Sequence, residues 1–452
     1  MKINLENNFY NTMLEPSDWR FSAAIIGLIQ YFNYHNIKYD TNNEGILYNQ
    51  EDISENKYLE FVEYKYSDKL HHKAVENTLS ASEISDETIK YINDKLKANT
   101  VMKNIFGKIK FDGTNKDLIL NIINDNREKL IKETYRTKSD MYANFANPNQ
   151  MFNDSQNWCR LLGYNIDANK KGKSIGYNFE TNSFVGIDIK EFDFIPFAFV
   201  GDRETFFIND NYSIQTLKSS NLLLEQNLCE NTNANIKNSR QAFFKGIIKS
   251  SEFIQRDVEV IIKNRDTNYF ETLYIRKKSI DILKSEDFKR IDYESLNFSY
   301  KVTENYYRNI QKEVMENILN NIYLDNLIEV FLKENRRYLV SQLIKINILM
   351  KGEKGMKDKL KGAFACAKQV ASKLEINKID SYRQKLTSAV IFRDYDRACQ
   401  ILLQLANYSN VEFGFVYDLF DNFENNKDLV YTFINALSKN DKEGNIVENR
   451  DN

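Results

Sequence analysis

Cysteine is scarce in this chain, and its four residues, Cys159, Cys229, Cys366 and Cys399, form no CxxC pair. That spacing fits reduced thiols rather than a disulfide framework, and no metal site is expected. Histidine is scarcer still. His35, His71 and His72 show no HxxxH, HxH or HD spacing, which excludes the usual zinc and iron ligand sets. His71 and His72 are expected on an exposed helix. Neither a GxxxxGK[ST] phosphate loop nor a GxSxG nucleophile elbow occurs, so P-loop and α/β-hydrolase chemistry are excluded and no cofactor is expected. Only 3 prolines and 15 glycines are present, leaving long helices little interrupted. The opening MKINLENNFYNTMLEPSDWR has no apolar signal core, and no apolar run reaches bilayer length. A cytoplasmic protein with no membrane partner is the expectation.

What is present is a globular composition, 42% apolar and 13% aromatic, on a chain long enough for two or three cores. Asn, Lys and Ile are abundant, as in products of AT-rich genes, which devalues any isolated lysine. Charge is more telling. The whole chain carries a formal −2, yet residues 336–407 hold 15 Lys/Arg against 6 Asp/Glu, a local +9 on a body of −11. Segregated cations suit a polyanionic partner, because neutralising phosphates releases counterions. A solvated lysine-rich helical surface is the alternative.

Phe21, Ala24, Ile25, Leu28, Ile29 and Phe32 make one helical face behind a Ser17 or Asp18 cap. A hairpin is expected across Thr41–Gly45. Helices are expected over about 57–76, 86–106 and 115–134. From Tyr135 to about Ser155 the pattern breaks into a long polar and aromatic loop, a length unusual unless functional. A second loop follows at 169–173. Strands are expected at GYNFE, FVGIDI, FDFIPFAFV, ETFFIN, DVEVIIK and YFETLYI, with a helix near 238–250 between them. Beyond Tyr300 the chain reads as helical, with stripes at Tyr307, Ile310, Val314, Ile318 and Ile322, then Met356 to Leu374, then Tyr395 to Ala406. The fold class is therefore an α+β N-terminal body (1–300) followed by an all-α C-terminal helical bundle (301–440) and a polar tail (441–452).

Three sets of residues carry candidate chemistry. Lys354, Lys357, Lys361 and Lys368 fall within about 60° of one another on a helix at the usual angular step, and Arg393 and Arg397 lie one turn apart on a later one. Together they suit a phosphate backbone; singly, each suits a solvated face. Lys170, Lys171 and Lys173 surround Gly172 in a loop that can enter a groove or form a plain exposed tip. Asn144, Asn147, Asn149 and Gln150 put amides in the long loop, suited to base edges. Separately, Glu63-Tyr64-Lys65, with Asp40 or Asp52 upstream, matches the D…E-x-K pattern of metal-dependent nucleases, a triplet common by chance. Cys399, Trp19 and Trp158 read as packing residues.

Four segments together resemble a known family. SDWRFSAAIIGLIQYF, FDFIPFAF, LYIRKKSIDILK and RDYDRACQILLQLANYS are similar to the large subunit of type I-B CRISPR surveillance complexes (Cascade). The resemblance implies a non-enzymatic subunit at the 5′-handle end of a guide RNA. Such a subunit reads the protospacer-adjacent motif (PAM) in double-stranded target DNA, aids duplex opening and helps recruit a helicase-nuclease in trans. It also implies contact with other Cascade subunits, and a C-terminal bundle resembling the small subunits that hold the displaced strand. The paired CxxC elements of many members are missing, so their zinc site should be missing too. A stand-alone phage-defence nuclease is the alternative, and a protein-binding scaffold a third. PAM reading in an intact duplex favours slim loops over helix faces, hence the 135–155 and 170–173 loops.

Overall fold

The computed structural model describes residues 9–80, 85–153, 160–163, 188–232, 243, 256–352 and 355–439. It is an α+β region with small sheets followed by a run of helices. The chain divides into two compact units, Met1–Leu273 and Tyr274–Asn452. The division precedes the residue-300 boundary read from the sequence because segments 277–296 pack on helices of the second unit.

In the first unit, β1 (Thr12–Leu14), β2 (Asp40–Thr41) and β3 (Ile46–Tyr48) form an antiparallel sheet of order β1-β3-β2. Between β1 and β2 runs α1 (Trp19–Tyr34), capped by Asp18, whose carboxylate accepts from the Arg20 N–H at 2.7 Å. Its buried face, Ala24, Ile25, Leu28, Ile29 and Phe32, centres the core. Gly27 sits where a Cβ would meet the Phe194 carbonyl oxygen at 2.1 Å. The helix thus packs backbone-close on 190–194.

Each of the three long helices read from periodicity is two. They are α2 (Glu55–Lys65) with α3 (His71–Leu79), α4 (Asp86–Leu96) with α5 (Thr100–Phe106), and α6 (Lys116–Asp125) with α7 (Arg127–Thr137). Asn99 caps α5 by accepting from the Met102 N–H at 2.8 Å. An asparagine so used restarts a helix without breaking the apolar period. Helices α3 to α7 close a satellite core of Val75, Leu79, Ile92, Leu96, Met102, Phe106, Phe111, Ile119, Ile123 and Leu130.

The expected 135–155 loop is corrected. Helix α7 runs to Thr137, α8 spans Tyr142–Phe145, and a 3-10 turn covers Pro148–Gln150. Tyr142, Phe145 and Met151 are buried in the main core. The strand expected at FDFIPFAFV is also corrected. It is a 3-10 turn (Lys190–Phe194) running into α9 (Ile195–Ala198), with Pro196 in the first turn, where its missing N–H costs nothing. Residues 191–199 are buried on every side, so they have no polar face for periodicity to register.

The second sheet has order β4-β5-β6-β7, from Val200–Gly201, Glu204–Asn209, Val258–Asn264 and Phe270–Ile275. Helix α10 (Ile214–Thr232) intervenes and fastens to β5, where Asn221 brackets the Ile208 backbone with hydrogen bonds of 2.9 and 2.8 Å. GYNFE, most of FVGIDI, and the 238–250 helix apart from Phe243 lie outside the described residues.

The second unit begins with α11 (Lys277–Lys284) and α12 (Glu286–Lys289). A hairpin follows, β8 (Ser299–Thr303) with β9 (Tyr306–Asn309). This corrects the first helical stripe. Tyr307 is an exposed strand residue, and Ile322 lies exposed beyond the helix end. Only Ile310, Val314 and Ile318 face the core, on α13 (Ile310–Leu319). Then come α14 (Asp325–Lys333), α15 (Arg337–Lys351), α16 (Met356–Lys373), α17 (Ile376–Ile391), α18 (Tyr395–Ser409), α19 (Val416–Asp421) and α20 (Phe423–Ala436). Buried Met356, Ala363, Ala367 and Ala371 let α16 approach α20 closely. Among the described residues no helix is long and apolar enough to cross a membrane.

Candidate nucleic-acid interface

The basic surface of the second unit rests on α16, α17 and α18. Their alanine-rich and aliphatic faces turn inward, so lysine and arginine take the outer faces. Lys357, Lys361 and Lys368 lie along α16, and Lys354 is outside the described residues. Lys357 pairs with Asp287 at 2.8 Å and Lys361 with Asp358 at 3.7 Å. Lys368 lies 5.7 Å from the Phe364 ring. Exposed pairs of this kind contribute about 0–1 kcal/mol, so a phosphate can compete for these lysines. They nevertheless dilute the field of the ridge.

Arg393 and Arg397 are placed more favourably. Arg393 sits in the tight turn between α17 and α18 with φ +57°, and Arg397 is exposed on the first turn of α18. Beside Arg393, Phe392 is 80% exposed, an unusual setting for a phenylalanine. Sequence reading missed two further groups. The Lys378 ammonium donates to the Tyr408 hydroxyl and lies 4.8 Å from that ring's centroid. Lys385 lies 5.6 Å from the Tyr382 ring. Aromatic faces flanked by cations suit stacked bases and their phosphates. The missed signal was the KxxxYxxK spacing of Lys378, Tyr382 and Lys385, which puts all three on one helical face.

In the first unit, Lys170, Lys171 and Lys173 lie outside the described residues, as do Cys159 and Trp158. The four amides of 144–150 are not brought together. Asn144 is buried, and its Oδ1 accepts from the Lys263 ammonium at 3.1 Å. Gln150 is buried too. Asn147 caps the 3-10 turn by accepting from the Asn149 N–H at 3.1 Å, and only Asn149 is exposed. The segment is pinned by Asp193, which accepts from Arg160 Nε at 2.9 Å, from the Phe152 N–H at 2.9 Å and from the Tyr142 hydroxyl. Burial pushes the Asp193 carboxyl up to about 6, against the pull of the Arg160 charge. Arg160 also reaches Asp188 at 3.2 Å, so residues 160 and 188 are fastened together.

The chain matches the family model of CRISPR-associated protein Csx8 over residues 10–237 and 224–437. It belongs to that family. No curated protein and no solved structure matches it. Csx8 membership makes this a CRISPR-associated protein.

Within the Csx8 chain, the D…E-x-K residues are not assembled as a nuclease would need. Glu63 and Lys65 lie on a helix, not a strand edge. Glu63 accepts from Arg127 at 2.5 Å and bonds His72 Nε2 at 2.9 Å. Burial raises its proton affinity, but the His72 hydrogen bond and the Arg127 charge outweigh that and hold the carboxyl below its ordinary value. His72 is 1% exposed, correcting its expected place on the surface. Lys65 turns to Glu225 at 3.3 Å. No group of three or more potential metal ligands is present among the described residues. Trp19 packs edge-on to Phe199 at 6.3 Å, and Cys399 is buried on the inner face of α18, both as expected.

Proposed function

We propose that this Csx8 chain is the non-catalytic large subunit of a Cascade-type complex of the I-B kind. In this reading the first unit meets the guide-RNA handle and reads the PAM in double-stranded target DNA. The second unit holds the displaced strand, and the assembly recruits a helicase-nuclease in trans. The Csx8 match across residues 10–437 carries the CRISPR part of the reading. The exposed cation and aromatic pairs of α17 and α18 support the strand-holding part, because bases stack on such rings without regard to sequence. The engagement of Glu63 and Lys65 in ion pairs supports a binding role over a cleaving one.

PAM reading is assigned to the 170–173 segment and to Asn149. Lys170, Lys171 and Lys173 supply charge beside Gly172, and Asn149 supplies the exposed amide of its segment. Asn144, Asn147 and Gln150 serve by holding that segment in shape. The test compares target DNA as an intact duplex with the same target pre-opened as a bubble, both bound by the assembled complex. Lys170→Ala with Lys171→Ala should weaken duplex binding much more than bubble binding, since opening has already been done in the bubble. Equal losses on the two targets would assign these lysines to general backbone contact and remove the reading role.

A further inference from the structure

Several cations of the first unit are neutralised within it. Lys65, Lys73, Lys132, Lys138 and Arg127 each have a carboxylate within 4.0 Å. One stretch concentrates lysines with no acid among them. From Lys95 to Phe111 the sequence holds five lysines and no Asp or Glu. It covers the end of α4, all of α5 and the strand-like segment after Gly107. Lys97, Lys103, Lys108 and Lys110 are exposed, and none has a carboxylate within 4.0 Å among the described residues. On a body whose charge is otherwise negative, four unpaired lysines over one short helix concentrate a positive field.

The stretch is also built to hold its shape. Leu96, Met102, Phe106 and Phe111 anchor it in the satellite core. Asn93 clasps its far end in both directions, donating to the Phe111 carbonyl at 2.8 Å and accepting from the Phe111 N–H at 2.9 Å. Asn99 caps α5 and donates to Thr134 Oγ1 at 3.3 Å. Gly107, at φ +56°, ends α5 with open space around it. The next residues then alternate, Lys108 and Lys110 outward, Ile109 and Phe111 inward. Asp112, the first acid beyond the stretch, turns to its own loop, accepting from the Thr114 N–H at 2.8 Å.

We propose that Lys97, Lys103, Lys108 and Lys110 form a second nucleic-acid site, on the helical lobe of the first unit, which grips a phosphodiester backbone without reading bases. Lysine is depleted at the centres of protein interfaces, where aromatic and arginine anchors dominate. The stretch offers no exposed aromatic between Lys97 and Lys110. Four exposed point charges on one well-anchored, acid-free stretch instead suit phosphates, which supply the same chemistry from RNA or from DNA. The site is independent of the α16–α18 surface and of the PAM reading proposed above.

The experiment uses the full chain and fluorescence anisotropy with three labelled 30-mers: single-stranded RNA, single-stranded DNA of matching sequence, and duplex DNA. Binding is followed as a function of salt for the wild type, for K97A/K103A/K108A/K110A, and for the matching quadruple arginine variant. Each phosphate neutralised contributes about 0.7–0.9 to the slope of log K against log salt. The alanine variant should therefore have a slope shallower by about 3, so that the wild type loses about 50-fold more affinity than the variant between 50 and 200 mM salt. The arginine variant should restore the slope. A change confined to RNA would identify the guide as the source of the phosphates, and a change confined to DNA would identify the target. An unchanged slope on all three probes, with the variant's circular dichroism unaltered, would overturn the proposal. So would loss of a protein partner with no change in nucleic-acid binding. A complex that fails to discriminate PAM while this slope still falls would refute the function proposed above and leave this site standing.

Discussion

At the scale of single residues, the first unit is held by buried charges whose partners are distant in sequence. Arg160, Asp188 and Asp193 lock the 142–153 segment to the 188–194 segment. Such pairs cost desolvation to form and about 3–5 kcal/mol to break from one side. Lys263 on β6 is a different case. Its ammonium is fully buried and donates to Asn144 Oδ1 at 3.1 Å, to the Asn264 carbonyl at 2.8 Å and to the Thr267 carbonyl at 2.5 Å, all neutral acceptors. Burial lowers its pKa to about 8 from 10.5. Above pH 8 the folded state releases a proton that the unfolded chain keeps up to its higher pKa, so stability rises with pH across that window; as pH falls through 8 the gain is lost. Urea denaturation of the wild type and Lys263→Met should show the wild type gaining on the variant between pH 7.5 and about 9.5. A difference that stays flat with pH would mean that Lys263 stays charged throughout.

At the scale of elements, the most consequential contact is α1 against residues 190–194. Gly27 permits it, and a methyl there collides with the Phe194 carbonyl. Gly27→Ala should lower stability by about 3 kcal/mol, the scale of overpacking a tight core, read as a reduced denaturation midpoint with unchanged slope. A neutral result would mean that α1 can slide. This scale also shows what the sequence makes legible. The strand at 270–275 and the α16 and α18 stripes were readable because each has one buried and one wet face, whereas α1 and the strands at 204–209 and 258–264, buried almost throughout, were readable from the α1 cap and apolar spacing and from the β-branched and aromatic content of the strands. FDFIPFAFV was not, because a short aromatic run buried throughout fits a strand as well as it fits a buried turn and helix. The β8–β9 hairpin was masked by Tyr307, whose spacing to Ile310 and Val314 mimics a helix although the helix starts only at the Asn309 cap. Among site residues, Arg393 and Arg397 were legible as a basic pair. The Asn144 amide was misplaced because sequence shows polarity but not the buried Lys263 ammonium from which its Oδ1 accepts, and the Gln150 amide because sequence does not show its burial. The lysines of 97–110 were overlooked because their charge is diluted by acids on either side in sequence, which fold away from them.

For the whole molecule, charge is organised as two cationic surfaces, one in each unit, on an otherwise acidic body. On the second unit Arg393 and Arg397, with no carboxylate within 4.0 Å among the described residues, should outweigh the α16 ridge, where Lys357 and Lys361 are ion-paired. Arg393→Ala with Arg397→Ala should flatten the salt slope for single-stranded DNA by about 1.4. Lys357→Ala with Lys361→Ala should flatten it less, because removing either lysine also frees a carboxylate. The opposite ranking would return the site to the ridge. The measurement closest to the central claim is motif selection. Guide-loaded complexes assembled with and without this chain are offered duplexes carrying the guide-matched sequence beside a randomised flank, and the bound pool is sequenced. The account predicts that the pool captured with the chain is enriched for one short flanking motif and that the enrichment vanishes without it. Identical pools with and without the chain would contradict a PAM-reading large subunit.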